Sequence, residues 1–384
     1  MEPTQKTIAS HPSWVIRSDS VELAVTQLGG HSAPVTFYRR DKKPIRPYYV
    51  SPWANEGLKI DDPVLVPLRG DFFCMPFGAP STYRGRSHVC HGESATKKWT
   101  LREAERRGPV TSLTLEMKTT NVPGRVTKTL QLVDGHNVIY KRHVLEGYSL
   151  RTSLGHHATL AMPETPGSVH LATSRMRLMQ TAPTPVGDPR IGHYQSLAIA
   201  RRFRDLSRVP LIWNEPKTGD CSALPQREGF TDLLGMFNAK TAGPAWATAT
   251  FADERFLWFS LKDAAVLPAT LLWISNRGRH SLPWLGRNRC LGIEDVCGYF
   301  AEGLADSARA NPISKMGIPT CVKLSPRKPT AVNYIQGVVK VPRGFTKVHT
   351  VSFSSGQATF TAVGGQKATI DVCHEFLTGG ELHP

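Results

Sequence analysis

Val126–Val133 (VTKTLQLV) and Asn137–Leu145 (NVIYKRHVL) are two runs in which apolar and polar residues largely alternate, with Asp134-Gly135 standing between them. Successive side chains of a strand point to opposite faces, and Asp-Gly tolerates the positive φ angles of a tight hairpin turn. The stretch therefore predicts two antiparallel strands and the turn that joins them. The same pattern recurs outward in both directions, at Val110–Met117, Trp246–Phe251, Arg255–Leu261 and Val348–Phe353. These runs are rich in Val, Thr and Phe and are punctuated by Gly, Pro, Asn and Asp, which is how strands and turns read. Val363-Gly364-Gly365 marks a second hairpin.

Helical periodicity is confined to Tyr194–Asp205 and Gly298–Ala310, where short amphipathic helices are expected. Strands and helices do not alternate regularly, which excludes a Rossmann or barrel plan built from βα units. No internal repeat is present, and Thr181–Pro189 reads as a Pro-rich surface loop. The expected architecture is all-β, a large antiparallel two-sheet β-sandwich spanning residues 1–384 as one domain, with residues 1–14 as a loose N-terminal arm.

Composition narrows the class. With 40% hydrophobic and 20% charged residues, the chain carries enough apolar surface for a sizeable core. No apolar run is long enough to span a membrane, and the first residues lack the charged, apolar and small-residue succession of a secretory leader. Seven cysteines, odd in number and without a CxxC pair, suit reduced thiols, so a cytoplasmic protein with no membrane association is expected. The net charge of +16 raises polyanion binding. The basic residues are dispersed, however, and no basic helix, aromatic RNA-binding pattern or zinc finger accompanies them. No specific nucleic-acid partner is expected, and oligomeric state is not legible.

Phosphate-binding loops, nucleophile elbows and HExxH are all absent. What stands out is four polar segments in strand-rich surroundings: Arg69–Gly78 (RGDFFCMPFG), His88–Glu93 (HVCHGE) running to Trp99, Gly155-His156-His157, and Cys290–Asp295 (CLGIED). Their order and spacing resemble those of the aldose 1-epimerase (galactose mutarotase) family, in which a Pro-Phe segment, a His-Gly segment, a His-bearing strand and a Cys-Leu-Glu segment follow one another. The resemblance covers residues 65 to 300, with Val341-Pro342-Arg343-Gly344 similar to the turn before the family's final strands.

The resemblance implies a catalytic pair, with His157 as general acid and Glu294 as general base. It implies substrate contacts from His91, Arg69, Asp71, Glu93, His156 and Trp273, no metal and no cofactor, and a small-molecule carbohydrate as the partner. Mutarotation needs only one base, to take the proton of the anomeric hydroxyl, and one acid, to protonate the ring oxygen. A carboxylate ionised at neutral pH and a histidine near its ordinary pKa would serve. The expected function is acid/base interconversion of sugar anomers or a related reaction on a sugar. The alternatives are a non-catalytic carbohydrate-binding protein and, third, a metal-dependent sugar isomerase or lyase using His88, His91, Glu93, His156 or His157, and Glu294.

The sequence departs from the family where Asn-Arg should follow Pro-Phe and Gly78-Ala79-Pro80-Ser81 stands instead. Arg69, Arg84 and Arg86 are the candidate replacements, and Asp232 is a weak candidate for the family's sugar-binding Asp. Of Trp99, Trp213, Trp273 and Trp284, each is expected in the core more than in the site, since large aromatics dominate sandwich cores. His156 and His157 must face opposite sides of a strand, and alternation alone does not say which side is the cleft. Asp295 reads as a solvated or turn residue.

Overall fold

The computed structural model describes residues 3–382. Two large antiparallel sheets make the body. One has eleven strands, in the order 4–8, 11–17, 21–26, 32–37, 71–74, 154–161, 289–297, 269–276, 230–238, 176–181 and 202–203. The other has nine, in the order 223–224, 169–173, 245–251, 256–262, 330–340, 138–146, 124–133, 110–119 and 100–107. The Asp134-Gly135 hairpin is formed as expected, Gln131 pairing with Tyr140. So is the second hairpin, joining 357–362 to 367–371 in a separate three-stranded sheet.

Alternation decides which residues make the core. Ile139 joins Leu115, Leu130, Trp258 and Val332 in a cluster that the first sheet completes with Val21, Leu23, Leu160, Leu272 and Ile293. Val138 and Tyr140, pointing the other way, pack under the three-stranded sheet with Val348, Phe360 and Ile370. The outer face of the eleven-stranded sheet carries a third cluster, in which Phe72, Leu271, Trp273 and Val296 meet Tyr49, Trp53, Trp284 and Ile313 from the loops. Each fully buried Val, Leu, Ile or Phe contributes roughly 1.5–3 kcal/mol, so the inter-sheet core and the two clusters outside it stabilise strands of this length.

Charged groups sit inside this sandwich. Asp71 accepts from Lys141 Nζ at 2.5 Å and from His156 Nδ1 at 3.0 Å. Asp295 accepts from Lys262, Ser260, Thr270 and Tyr334 at 2.6–2.8 Å. Asp295 is thus an inter-sheet residue and not the solvated one expected. Burial alone would push both carboxyls up, but the facing ammonium groups and hydrogen bonds hold them below the usual range.

Other expectations are corrected. Residues 4–8 and 11–17 pair as strands, Thr4 opposite Val15, so the described part of the N-terminal arm is an edge hairpin. Residues 1–2 lie outside the described residues. Tyr194–Asp205 is not helical: Ser196 and Leu197 are held by Asp232, whose Oδ1 accepts both backbone amides, and Leu197 bridges to Leu211. The helix expected over 298–310 shrinks to Leu304–Ala308. All seven cysteines are free. Among the described residues no helix is long and apolar enough to cross a membrane.

Candidate active site

The strand register builds the site on the outer face of the eleven-stranded sheet. His157 lies directly opposite Glu294 on one side and Phe72 on the other. Glu294 in turn lies opposite Leu271, two residues before Trp273. Neighbouring strands stand about 5 Å apart, so side chains at direct partners touch. His157 Nε2 is 3.2 Å from Glu294 Oε1. Gly292 leaves the room that this contact needs, because a Cβ there would come within 2.9 Å of Glu294 Oε1 and of Trp273 Cβ.

His91 enters from the loop after 86–88. Its own φ is 55° and that of Gly92 is 74°, and a Cβ on Gly92 would meet the Met75 carbonyl oxygen at 2.1 Å. Only glycine fits that close approach. The turn sets the His91 ring edge-on to His157 at 5.0 Å and to Phe72 at 5.9 Å. The Gly78 amide donates to His91 Nδ1 at 3.4 Å, which places the ring proton of neutral His91 on Nε2. His157 stacks on Phe72 at 4.6 Å, and His31 stacks on the same ring at 4.1 Å.

His157, Glu294, His91 and Phe72 line a cleft of about 460 Å3, the size that holds a small ligand. Its walls include Trp273, Trp284, Asp62, His193, Glu302 and Arg279. Trp273 and Trp284 meet edge to face at 5.9 Å, and the Arg279 guanidinium lies 4.9 Å from the Trp284 ring centre and 5.8 Å from that of Trp273. The combination is an apolar aromatic wall with a few convergent polar groups.

Burial governs the electrostatics. It pushes the Glu294 carboxyl up to about 8 and His157 well below the ordinary histidine value, with His91 adding to the second effect. His91 itself is pushed down to about 4 by burial. Both shifts in the central pair favour neutral forms. This differs from the expectation of an ionised carboxylate beside a histidine of ordinary pKa, because a dry cleft disfavours charge on either partner.

Of the residues singled out from sequence, His157, Glu294, His91 and Trp273 come together in the cleft, and Trp284 joins them. Arg69, Asp71, Glu93 and His156 do not line it. Arg69 is buried and donates to the carbonyls of Ile8, Ala9 and Pro67, fastening the N-terminal hairpin. Asp71 and His156 fall on the opposite face of their strands, in the inter-sheet layer. Glu93 lies beyond the His91 loop beside a second cavity, where it accepts from Thr120 and Asn121 and pairs with Lys97. Arg84 and Arg86 are exposed, Trp99 is in the core, and Trp213 rests on Phe230. Among the described residues no three His, Cys, Asp or Glu side chains are grouped to hold a metal ion.

No protein-family model matches this sequence, and no curated protein matches it. Solved structures do match its backbone. A galactose mutarotase-like protein from Clostridium acetobutylicum superposes with a TM-score of 0.59 at 12% identity, over 88% of this chain and 98% of that one. A galactose mutarotase related enzyme from Lactobacillus acidophilus gives 0.54 at 11%, over 85% and 97%. A galactose mutarotase-like protein from Lactobacillus casei gives 0.54 at 12%, over 85% and 99%. The chain has the galactose mutarotase-like fold. At these identities the agreement concerns the course of the backbone. The chemistry of the cleft rests on its own side chains.

Within the galactose mutarotase-like fold, sequence reasoning passed over Arg279, Asp62, His193 and Glu302. A signal for Arg279 did exist: Asn276-Arg277-Gly278-Arg279-His280 is a compact basic run that follows a strand and precedes the Cys290–Asp295 segment. Asp62, His193 and Glu302 come from loops with no motif, and tertiary folding alone brings them to the cleft.

Proposed function

We propose that this protein is a carbohydrate-active isomerase that interconverts sugar anomers in the cleft, with His157 and Glu294 as its acid/base couple. The observation that carries the reading is their 3.2 Å cross-strand contact inside a cleft walled by Trp273 and Trp284. In ring opening, the two oxygens to be served, the anomeric hydroxyl and the ring oxygen, are bonded to one carbon. An acid and a base a few ångströms apart therefore reach both. One member takes the hydroxyl proton while the other delivers its proton to the ring oxygen as the bond from that oxygen to the anomeric carbon breaks. After rotation about the adjacent carbon–carbon bond, the reverse transfer closes the ring on the other face.

Family resemblance makes Glu294 the base and His157 the acid. Burial favours a protonated Glu294 beside a neutral His157, which supports the couple also working in the reverse sense, His157 taking the hydroxyl proton and Glu294 delivering its own. Neutral His91, with its proton on Nε2, supplies a hydrogen bond for a ring or hydroxyl oxygen. The aromatic walls suit the C–H faces of a pyranose.

Anomer exchange measured by polarimetry or NMR on a panel of aldoses tests this, with wild type compared with Glu294→Gln. Acceleration by wild type that falls by at least about a hundredfold in the variant is expected, since a positioned acid or base contributes 10²- to 10⁴-fold. Sugar binding without any acceleration would replace the isomerase by a carbohydrate-binding protein.

A further inference from the structure

Four arginines lie on or beside the loop that closes the cleft between strands 269–276 and 289–297. Three of them have carboxylate partners: Arg277 pairs with Glu228 and Glu164, Arg289 with Glu228 and Glu164, and Arg287 with Glu56. Arg279 differs. Among the described residues no carboxylate oxygen lies within 4.0 Å of it; its Nε is buried without a hydrogen-bond partner, as are those of Arg287 and Arg289. The guanidinium instead lies by the rings of Trp284 and Trp273, on the wall of the cleft that holds His157 and Glu294.

A guanidinium is charged at every physiological pH, and desolvating it without a counter-charge is costly. Cation–π contact offsets part of that cost, and Arg279, only partly buried on the cleft wall, keeps N–H donors for a ligand. Asp62 lines the same cleft yet stands outside ion-pair distance. A ligand in the cleft is therefore placed to supply Arg279 with the carboxylate partner that the other three arginines find in the protein. Groups built for phosphate usually converge several donors, whereas one guanidinium matches one carboxylate in a bidentate fork. Asp62 and Glu302 on the same walls also disfavour a ligand of high negative charge.

Resting on the isomerase reading above, we infer that the substrate is an acidic aldose, whose anionic substituent is bound by Arg279 while the His157–Glu294 couple works at the anomeric carbon. Arg279 thus takes the sugar-holding role for which Arg69, Arg84 and Arg86 are misplaced, and it does so with selectivity for a negative charge.

The test compares anomer exchange on glucuronate and galacturonate with that on glucose and galactose, with glucose 6-phosphate as a further arm, in wild type, Arg279→Gln and Arg279→Lys. Thermal melts confirm that each variant is folded. In wild type kcat/KM is expected to be at least about tenfold higher for the uronates than for their neutral parents, as one charge-assisted hydrogen-bonded pair provides. The ratio falls to about one in Arg279→Gln and recovers in part in Arg279→Lys. An Arg279-dependent preference seen with the phosphate and not the uronates assigns the anion to a phosphoryl group. A neutral aldose that matches or exceeds both, or a preference untouched by Arg279→Gln, overturns the inference. Should no sugar exchange faster, calorimetric binding of the same ligands separates the two readings. Arg279-dependent binding of the acidic sugars keeps this inference while the isomerase falls, and equal binding of acidic and neutral sugars removes it.

Discussion

Asp71 accepts a hydrogen bond from His156 at 3.0 Å on the core side of the sheet, directly behind the strand position from which His157 faces the cleft. The same carboxylate oxygen accepts from Lys141 at 2.5 Å. His156 is fixed further by stacking on Tyr334 at 4.1 Å. The polar layer between the sheets therefore anchors the strand that carries the candidate acid, without touching the cleft itself.

Asp71→Ala leaves Lys141 buried without its counter-charge. The expected cost is about 3–5 kcal/mol, the range for breaking one half of a buried ion pair. Urea unfolding measures it, and a loss below about 1 kcal/mol would show that the layer is hydrated and the pair weak.

Glu294→Gln should cost activity and add stability. The carboxyl is raised to about 8 in the folded protein from an ordinary value of 4.5. Between those values the unfolded chain releases the proton that the native protein keeps, so the group lowers stability progressively as pH rises through that window. The variant is expected to be more stable than wild type by roughly 1–3 kcal/mol at pH 8, with the difference vanishing near pH 4. Equal melting temperatures at pH 8 would show that Glu294 is hydrated in the native state.

Histidines give the opposite slope. Burial lowers His31 to about 3 and His91 to about 4 from 6.5. Below 6.5 the unfolded chain takes up protons that these native rings refuse. Their contribution to stability is complete above 6.5 and is lost as pH falls through that window. Melting temperature should drop between pH 6.5 and 4, and His31→Asn and His91→Gln should each flatten the decline.

Anomer exchange should follow a bell-shaped pH profile set by the pair as a unit, because the reaction needs one proton on it. The alkaline limb is expected near 8, where Glu294 loses that proton, and the acid limb below 6.5, where lowered His157 takes up a second. The double variant His157→Ala with Glu294→Gln should be little slower than the slower single variant, since either change disables the couple. Multiplicative losses would show that the two act independently.

Gly92→Ala places a Cβ 2.1 Å from the Met75 carbonyl oxygen at a residue of φ 74°. The His91 loop must shift, at a cost of about 1–3 kcal/mol. Exchange should slow through misplacement of His91, while Gly85→Ala, at a turn where an added Cβ meets nothing within 4 Å, tests the backbone effect without the clash. Equal effects of the two would assign the loss to backbone strain alone.

The strand-and-turn plan was legible in sequence because hairpins are local: alternation through Val126–Val133 and Asn137–Leu145 and the positive-φ turn at Asp134-Gly135 are complete within twenty residues. Periodicity misled at Tyr194–Asp205, where a distant Asp232 takes up the amides that a helix would have used; the N-terminal arm is ordered by a contact no local pattern shows, Arg69 donating to the Ile8 and Ala9 carbonyls from sixty residues away. His157 and Glu294 were named by resemblance, but nothing local distinguishes His157 from His156 or Glu294 from Asp295. Each is one of two neighbours pointing to opposite faces, and only the register of the assembled sheet decides which face becomes the cleft and which the inter-sheet layer. The directions in which the pair's pKa values move, and the lack of a carboxylate within 4.0 Å of Arg279 among the described residues, follow from the same assembly, since desolvation depends on what the whole chain packs around a group and not on its neighbours in sequence.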